Sequence, residues 1–294
     1  MDHSEAPLAG RTLIMSGGSR GIGESIALKA AAAGANVALV AKTAEPHPRL
    51  PGTVYTAAEK IREAGGRALP IIGDIRDDAS VADAVAATVA EFGGIDVVVN
   101  NASALDTSRT EDLSMKKYDL MQSINARGSF LLAKAAIPWL KKSPNPHILT
   151  LSPPIVFDPK YFATIGTGYT ISKFSMSMVT IGLAAELADD GVAANSLWPR
   201  TMVATAAVQN IIGGELIARS RTPEIMGDAA LAIIVKPARE YTGRLVIDDD
   251  VLAAEGVTDF TGYQVDPSLP ETELELDFWV DGFRSGTPER AASE

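Results

Sequence analysis

Short continuous apolar runs alternate along the chain with longer stretches in which apolar positions recur at helical spacing. The runs are Leu13-Ile14-Met15, Val37 to Val40, Leu69 to Ile72, Ile95 to Val99, Ile148 to Leu151, Val192 to Trp198 and Leu245-Val246-Ile247, seven in all. A strand that is apolar at consecutive positions has no face left for water, so these runs predict strands covered on both sides. The stretches between them predict helices over 21–33, 54–64, 79–92, 114–142 with a break near Asn125, and 169–188. Strands alternating with helices in this way predict a doubly wound α/β fold, a seven-stranded parallel sheet flanked by helices on both faces in a single domain.

Three segments depart from the alternation. Glu45 to Gly52 holds three prolines, which remove donors and fix φ, and is predicted to be a surface loop after the second strand. Thr201 to Glu240 is more weakly helical and is placed where a substrate lid would sit. Beyond Asp250, Leu274, Leu276, Phe278 and Val280 alternate with Glu273, Glu275, Asp277 and Trp279, a two-residue period that predicts a half-exposed strand or an interface segment. The predicted organisation is a flexible N-terminus over 1–10, a nucleotide-binding catalytic domain over 11–250, and an acidic C-terminal extension over 251–294, packed on the domain or at a subunit interface.

Composition narrows the partners. A hydrophobic share of 46% suffices for a sizeable core, while a net charge of −11 without a dense Lys/Arg stripe disfavours nucleic acid and anionic membranes. A small molecule is the expected partner. No apolar stretch approaches the roughly 20 residues of a membrane span, and the acidic start Met-Asp-His-Ser-Glu lacks the basic flank of an export signal. With no cysteine, the chain is expected in the cytoplasm. His3, His47 and His147 are isolated from one another, so no metal site is predicted.

Candidate chemistry begins after the first strand, at Ser16-Gly17-Gly18-Ser19-Arg20-Gly21-Ile22-Gly23, which opens the first helix. Glycines there permit a tight turn and let backbone approach a pyrophosphate at the positive helix N-terminus. The end of the second strand reads Ala41-Lys42-Thr43, where an NAD site usually carries a carboxylate. Lys42 and Arg20 are two cations in reach of a 2′-phosphate, so NADP(H) is the predicted cofactor. Lys42 alone would also suit an ordinary solvated surface. Asp74 either accepts from the adenine amino group or caps a turn.

With these residues, the chain resembles the short-chain dehydrogenase/reductases from about residue 11 to about residue 250. The family's glycine turn stands as Ser16 to Gly23, its Asn-Asn-Ala-Gly as Asn100-Asn101-Ala102-Ser103, and its Tyr-x-x-x-Lys as Tyr169-Thr170-Ile171-Ser172-Lys173. The resemblance implies a Rossmann-like fold and cofactor contacts from Ser16, Gly17, Gly18, Ser19, Arg20, Gly21, Ile22, Gly23, Lys42, Asp74, Ile75, Asn100, Ala102, Tyr169, Lys173, Pro199 and Thr201. It also implies a catalytic set of Asn125, Ser152, Tyr169 and Lys173, in which Ser152 holds the substrate carbonyl and Asn125 binds a water in a proton relay through Lys173. Relatives commonly form homo-dimers or homo-tetramers, which is the expected assembly. One branch of the family shares the look of Ala41 to Pro48, Ser152-Pro153-Pro154 and Leu197 to Thr201. Its animal members carry an added sterol-carrier domain, for which the stretch after residue 250 is too short.

The Tyr/Lys pair also stands on physics. Residues four apart on a helix lie about 5–6 Å apart at Cβ. A neighbouring ammonium favours phenolate, so Lys173 is expected to lower the Tyr169 pKa from about 10 and make it a usable general acid and base. Ser152 ends the fifth strand, where a turn serine is the alternative. Asn125 interrupts a helix, as Asn also does at a simple bend. The stretch between Ser152 and Tyr169 carries Pro153, Pro154, Phe157, Tyr161 and Phe162, either a pocket wall or a subunit contact. Two positions depart from the family pattern: Ser103 replaces Gly, and Arg200 follows Pro199 where many relatives have Gly. Arg200 is a candidate partner for an anionic substrate group. The predicted function is hydride transfer between NADP(H) and a carbonyl or secondary alcohol. The alternatives are 3-oxoacyl-thioester reduction and a non-catalytic NADPH-binding sensor or scaffold.

Overall fold

A computed structural model describes residues 6–46, 52–211 and 216–284. All seven predicted strands form: β1 (Thr12–Ser16), β2 (Asn36–Ala41), β3 (Arg67–Ile72), β4 (Val97–Asn100), β5 (His147–Thr150), β6 (Ala193–Trp198) and β7 (Leu245–Ile247). They pair parallel throughout, in the order β3-β2-β1-β4-β5-β6-β7. The chain winds outward from β1 to β3 and then returns to β4 on the other side of β1. The C-terminal ends of β1 and β4 therefore flank the reversal, where such sheets open a crevice.

Successive residues of β1 show why the runs are unbroken. Leu13 and Met15 pack with Ile26 of α1 (Gly21–Ala32), Ile61 of α2 (Val54–Glu63) and Ile233 of α9 (Glu224–Ile234). Ile14 points to the other layer, against Val85 of α3 (Asp78–Phe92), Leu132 of α5 (Ser129–Leu140) and Leu183 of α7 (Thr167–Glu186). Each such buried side chain contributes about 1.5–3 kcal/mol, so polar substitution on either face costs stability. The remaining helices are α4 (Met115–Met121), α6 (Pro159–Ile165), α8 (Ala206–Ile211) and α10 (Asp248–Ala254).

The predicted break near Asn125 is a π-helix, Gln122–Gly128, set between α4 and α5. Gly128 packs against Ile75, and a Cβ there would stand 3.1 Å from the Ile75 side chain. The stretch predicted as a lid divides: α9 belongs to the core beneath α1 and reaches the crevice with Met226, while Thr205 and Ala206 of the first part border it directly. Of the predicted loop, residues 47–51 lie outside those described, while Glu45, Pro46 and Gly52 are in neither helix nor strand.

Both ends differ from expectation. Within the predicted flexible stretch 1–10, residues 6–10 form a turn in which Leu8 is buried and its N–H donates to the Ala33 carbonyl at 2.8 Å. Leu8 completes the core edge beside α1, which fixes the turn. The predicted strand over 273–280 is an extended segment with one isolated antiparallel bridge, Leu276 to Thr201. Its alternation is inverted at Trp279, which has φ +63° and is 2% exposed, whereas Phe278 is half-buried. A positive φ is uncommon for a bulky residue and persists only where packing enforces it. The Trp279 ring lies within 5.5–5.8 Å of the Trp198, Phe174, Tyr169 and Phe278 rings.

Candidate active site

The turn after β1 is tied to the loop after β4. The Ser16 hydroxyl accepts from the Asn101 and Ala102 N–H groups at 3.2 and 3.1 Å, and the Asn101 amide donates to the Gly17 carbonyl at 2.7 Å. Gly17 has φ +75°, and a Cβ on it would lie 2.9 Å from Ala102 Cα, so only glycine fits. The bare backbone from Gly17 to Ile22 thus forms a wall of a cavity of about 560 Å³, onto which the N-terminus of α1 opens. Bare backbone at a helix N-terminus suits the phosphates of a dinucleotide. Ser16, Gly18 and Gly23 are behind that wall: Gly18 packs on Met15 and Leu39, Gly23 on Asn101.

At the far end the cavity reaches Lys42, Asp74 and Ile75. Asp74 accepts from the Arg76 guanidinium at 2.5–3.1 Å and from Lys42 Nζ at 3.1 Å, and these cations, Arg76 first, hold its carboxyl well below the usual carboxylate range. Both its oxygens are thereby engaged, so of the two readings of Asp74 the local one is realised here. Arg20 donates to the Gly52 carbonyl at 3.0 Å, and its Nε is buried without a partner. Arg76 and Lys42 around one carboxylate, with Arg20 on the cavity wall, leave cations in excess at this end.

The other end of the same cavity holds Tyr169 and Lys173, both nearly fully buried on α7. Lys173 Nζ donates to the Leu151 carbonyl at 2.5 Å and lies 4.9 Å from the Trp198 ring centre. Burial pushes its amine down to about 7, with the nearby Asp277 opposing that fall. The expected lowering of the Tyr169 phenol does not occur. Burial and then the charge of Asp277 raise it, and only a hydrogen bond from Ser103 favours the phenolate. Lys173 gives no such help because its ammonium is directed at Leu151 and is itself desolvated.

Several residues expected at the catalytic end stand apart from the cavity. Ser152 is wholly buried behind Leu151, with its hydroxyl unpartnered. Leu151, the residue that follows β5, is on the wall. Asn125 spends its side chain as a clamp: Oδ1 accepts from the Ala104 N–H at 2.7 Å, and Nδ2 donates to the Ala104 carbonyl at 3.0 Å and to the Ser172 hydroxyl at 2.9 Å. The π-helix turns that amide inward, locking the loop that carries Ser103 onto α7. Asn100 and Thr201 are buried off the wall, whereas Ala102 and Pro199 are on it. Arg200 is turned from the cavity and bonded to Asp249, Asp250 and the Gly282 carbonyl. Of the stretch after Ser152, Phe157 is 82% exposed and Tyr161 is buried with its hydroxyl donating to Asp281 at 2.7 Å; neither lines the cavity.

Sequence reasoning missed Asp277 and Trp279. Asp277 lines the cavity beside Tyr169 and Lys173, and burial pushes its carboxyl up to about 8. The two-residue period of the tail set both on the face opposite Leu274, Leu276, Phe278 and Val280, and no local pattern signals that the segment folds back over β6.

The comparisons with known proteins agree with this fold. Residues 11–215 match the short chain dehydrogenase family, and the chain belongs to that family. It is similar to hydroxysteroid dehydrogenase-like protein 2 of Danio rerio, 52% identical over 94% of this chain and 65% of the relative, so it spans just under two thirds of that protein's length. The protein of the same name from Xenopus tropicalis is 49% identical over 97% of this chain and 66% of its own. A crystal structure of a short chain dehydrogenase from Mycobacterium thermoresistibile superposes with a TM-score of 0.90 at 53% identity, covering 95% of this chain and 99% of that one. The family is one of oxidoreductases. Among the described residues there is no cluster of three or more His, Cys, Asp or Glu able to hold a metal, and no helix long and apolar enough to cross a membrane.

Proposed function

We propose that the chain is an NADP(H)-dependent oxidoreductase that interconverts a carbonyl and a secondary alcohol, with Tyr169 as the general acid and base. The observation that carries this reading is one continuous cavity running from Lys42 and the glycine turn to Tyr169 and Lys173. Gly17, Ser19, Gly21 and Ile22 would receive the pyrophosphate, Lys42 and Arg20 the 2′-phosphate, and Lys173 and Pro199 the nicotinamide half. NADP(H), when bound, supplies or accepts the hydride.

The remaining work falls to side chains. A buried phenol with a raised pKa keeps its proton until the substrate oxygen gains negative charge, which is when a general acid must release it. Lys173, titrating near neutrality, is suited to restoring that proton. Ser103, the hydroxyl that bonds Tyr169 from the cavity wall, supports a second hydrogen bond to the substrate oxygen in place of Ser152. Exposed Phe130 on α5 and Met178 and Ile181 on α7 support a homo-oligomer built on that face. The cytoplasm remains the expected location.

Replacement Tyr169→Phe tests the reading. Turnover of NADPH with a panel of aromatic and aliphatic ketones should fall about 10²–10⁴-fold, while NADPH binding followed by its fluorescence is retained. Unchanged turnover refutes Tyr169 as the proton donor.

A further inference from the structure

Beyond residue 215, where the family match ends, the chain sends one charged side chain into the catalytic end of the cavity. The carbonyl of Arg200 accepts from the Asp277 N–H at 2.9 Å, and Asp277 Oδ1 accepts from the Phe278 N–H at 2.6 Å. Its neighbours fix it further. Trp198 Nε1 donates to the Phe278 carbonyl at 2.9 Å, and Trp279 is wedged against the Tyr169 and Trp198 rings. Behind this segment, Arg200 binds Asp249 and Asp250, and Arg221 binds Asp249 and Glu271. A carboxylate held at both its backbone and one oxygen, with its second oxygen free of any partner named above, is a built feature and not a passing side chain.

Charge decides what such a feature selects. The groups that act on Asp277 are Lys173, Tyr169 and, from behind, Asp248. Arg200, the guanidinium that would have welcomed an anionic substrate, is wholly engaged elsewhere. We infer that Asp277 is a specificity-determining residue that admits neutral carbonyl compounds bearing a hydrogen-bond donor beside the reacting carbon and rejects those bearing a carboxylate there. A donor satisfies the cavity-facing oxygen, while a second carboxylate would meet a like charge in apolar surroundings, where repulsion is poorly screened. Burial pushes the Asp277 carboxyl up to about 8, so the repulsion is felt in full above that pH, where the side chain is ionised.

The inference rests on the carbonyl/alcohol reading above, and the experiment separates the two. Kinetics with NADPH at pH 9, where Asp277 is ionised, would compare benzoylformate with methyl benzoylformate, and 2-hydroxyacetophenone with 2-methoxyacetophenone. The wild-type protein should prefer the ester over the acid by at least tenfold in kcat/KM, and the hydroxyketone over its ether. In Asp277→Asn the acid should gain at least fivefold, chiefly through KM. Equal wild-type use of acid and ester overturns the inference, and this arm needs no variant. So does an acid-to-ester ratio that Asp277→Asn and Asp277→Ser both leave unchanged while remaining folded by circular dichroism. If the wild type turns over none of the four, the carbonyl reading fails. Binding of benzoylformate and its ester to the NADPH-loaded protein, read by NADPH fluorescence, then decides the inference alone: weaker binding of the acid, relieved in the variants, supports it, and any other ranking overturns it.

Discussion

The two ends of the cavity are made in opposite ways. At the nucleotide end, Gly17 to Ile22, Lys42 and Asp74 come from three successive strand ends within the first 75 residues, and backbone does most of the contact. At the catalytic end, Ser103, Tyr169, Lys173, Trp198 and Asp277 come from the loop after β4, from α7, from β6 and from the tail, segments far apart in the chain. A surface made of backbone needs only small residues in the right turn, whereas one made of side chains needs distant segments held in register. The first is general to any dinucleotide. The second can be altered in one part without disturbing the other.

The sharpest way to break this contrast is Trp279→Ala. Truncating a ring packed on Tyr169, Trp198 and Phe174 should cost about 3–5 kcal/mol in urea denaturation and abolish most ketone turnover. NADPH affinity should stay within a few-fold. Should affinity collapse with turnover, the two ends are one unit.

A smaller effect is expected from pH. Folding raises the Asp277 carboxyl from 3.8 to about 8, so it favours the protonated form. That stabilisation is complete below 3.8 and is lost as pH rises toward 8. Asp277→Asn stays neutral throughout, so its melting temperature should exceed the wild type's by a margin that grows by a few degrees from pH 5 to pH 9. A constant margin would mean that Asp277 is not buried as described. The smallest effect belongs to the nucleotide end: Lys42→Ala should weaken NADPH about 3–10-fold and leave NADH unchanged, since the lysine is largely exposed.

The same contrast explains what was legible in the sequence. Apolar runs disclosed all seven strands; the five inner ones are buried on both faces, and the edge strands β3 and β7, only partly buried, still read as short apolar runs. The glycine turn and Tyr169-x-x-x-Lys173 were readable because each is local. Ser152 was less legible: Leu151 lines the cavity while Ser152 is wholly buried, and spacing alone does not resolve one residue at a strand end. Asp277 was beyond reach, since its position depends on Arg200, Trp198 and a left-handed turn at Trp279 that has no sequence signature.

The π-helix at Gln122–Gly128 also acts as a gear. Each α-helical residue advances the helix by about 100°, so deleting one residue from this stretch would let its hydrogen bonds fall back by one and rotate α4 against α5 by roughly that angle. Asn125 would then swing off Ala104 and Ser172 while the helix itself remained intact. A one-residue deletion here would therefore leave circular dichroism almost unchanged and yet release the loop bearing Ser103. Helix length, at this one place, is a setting of angle.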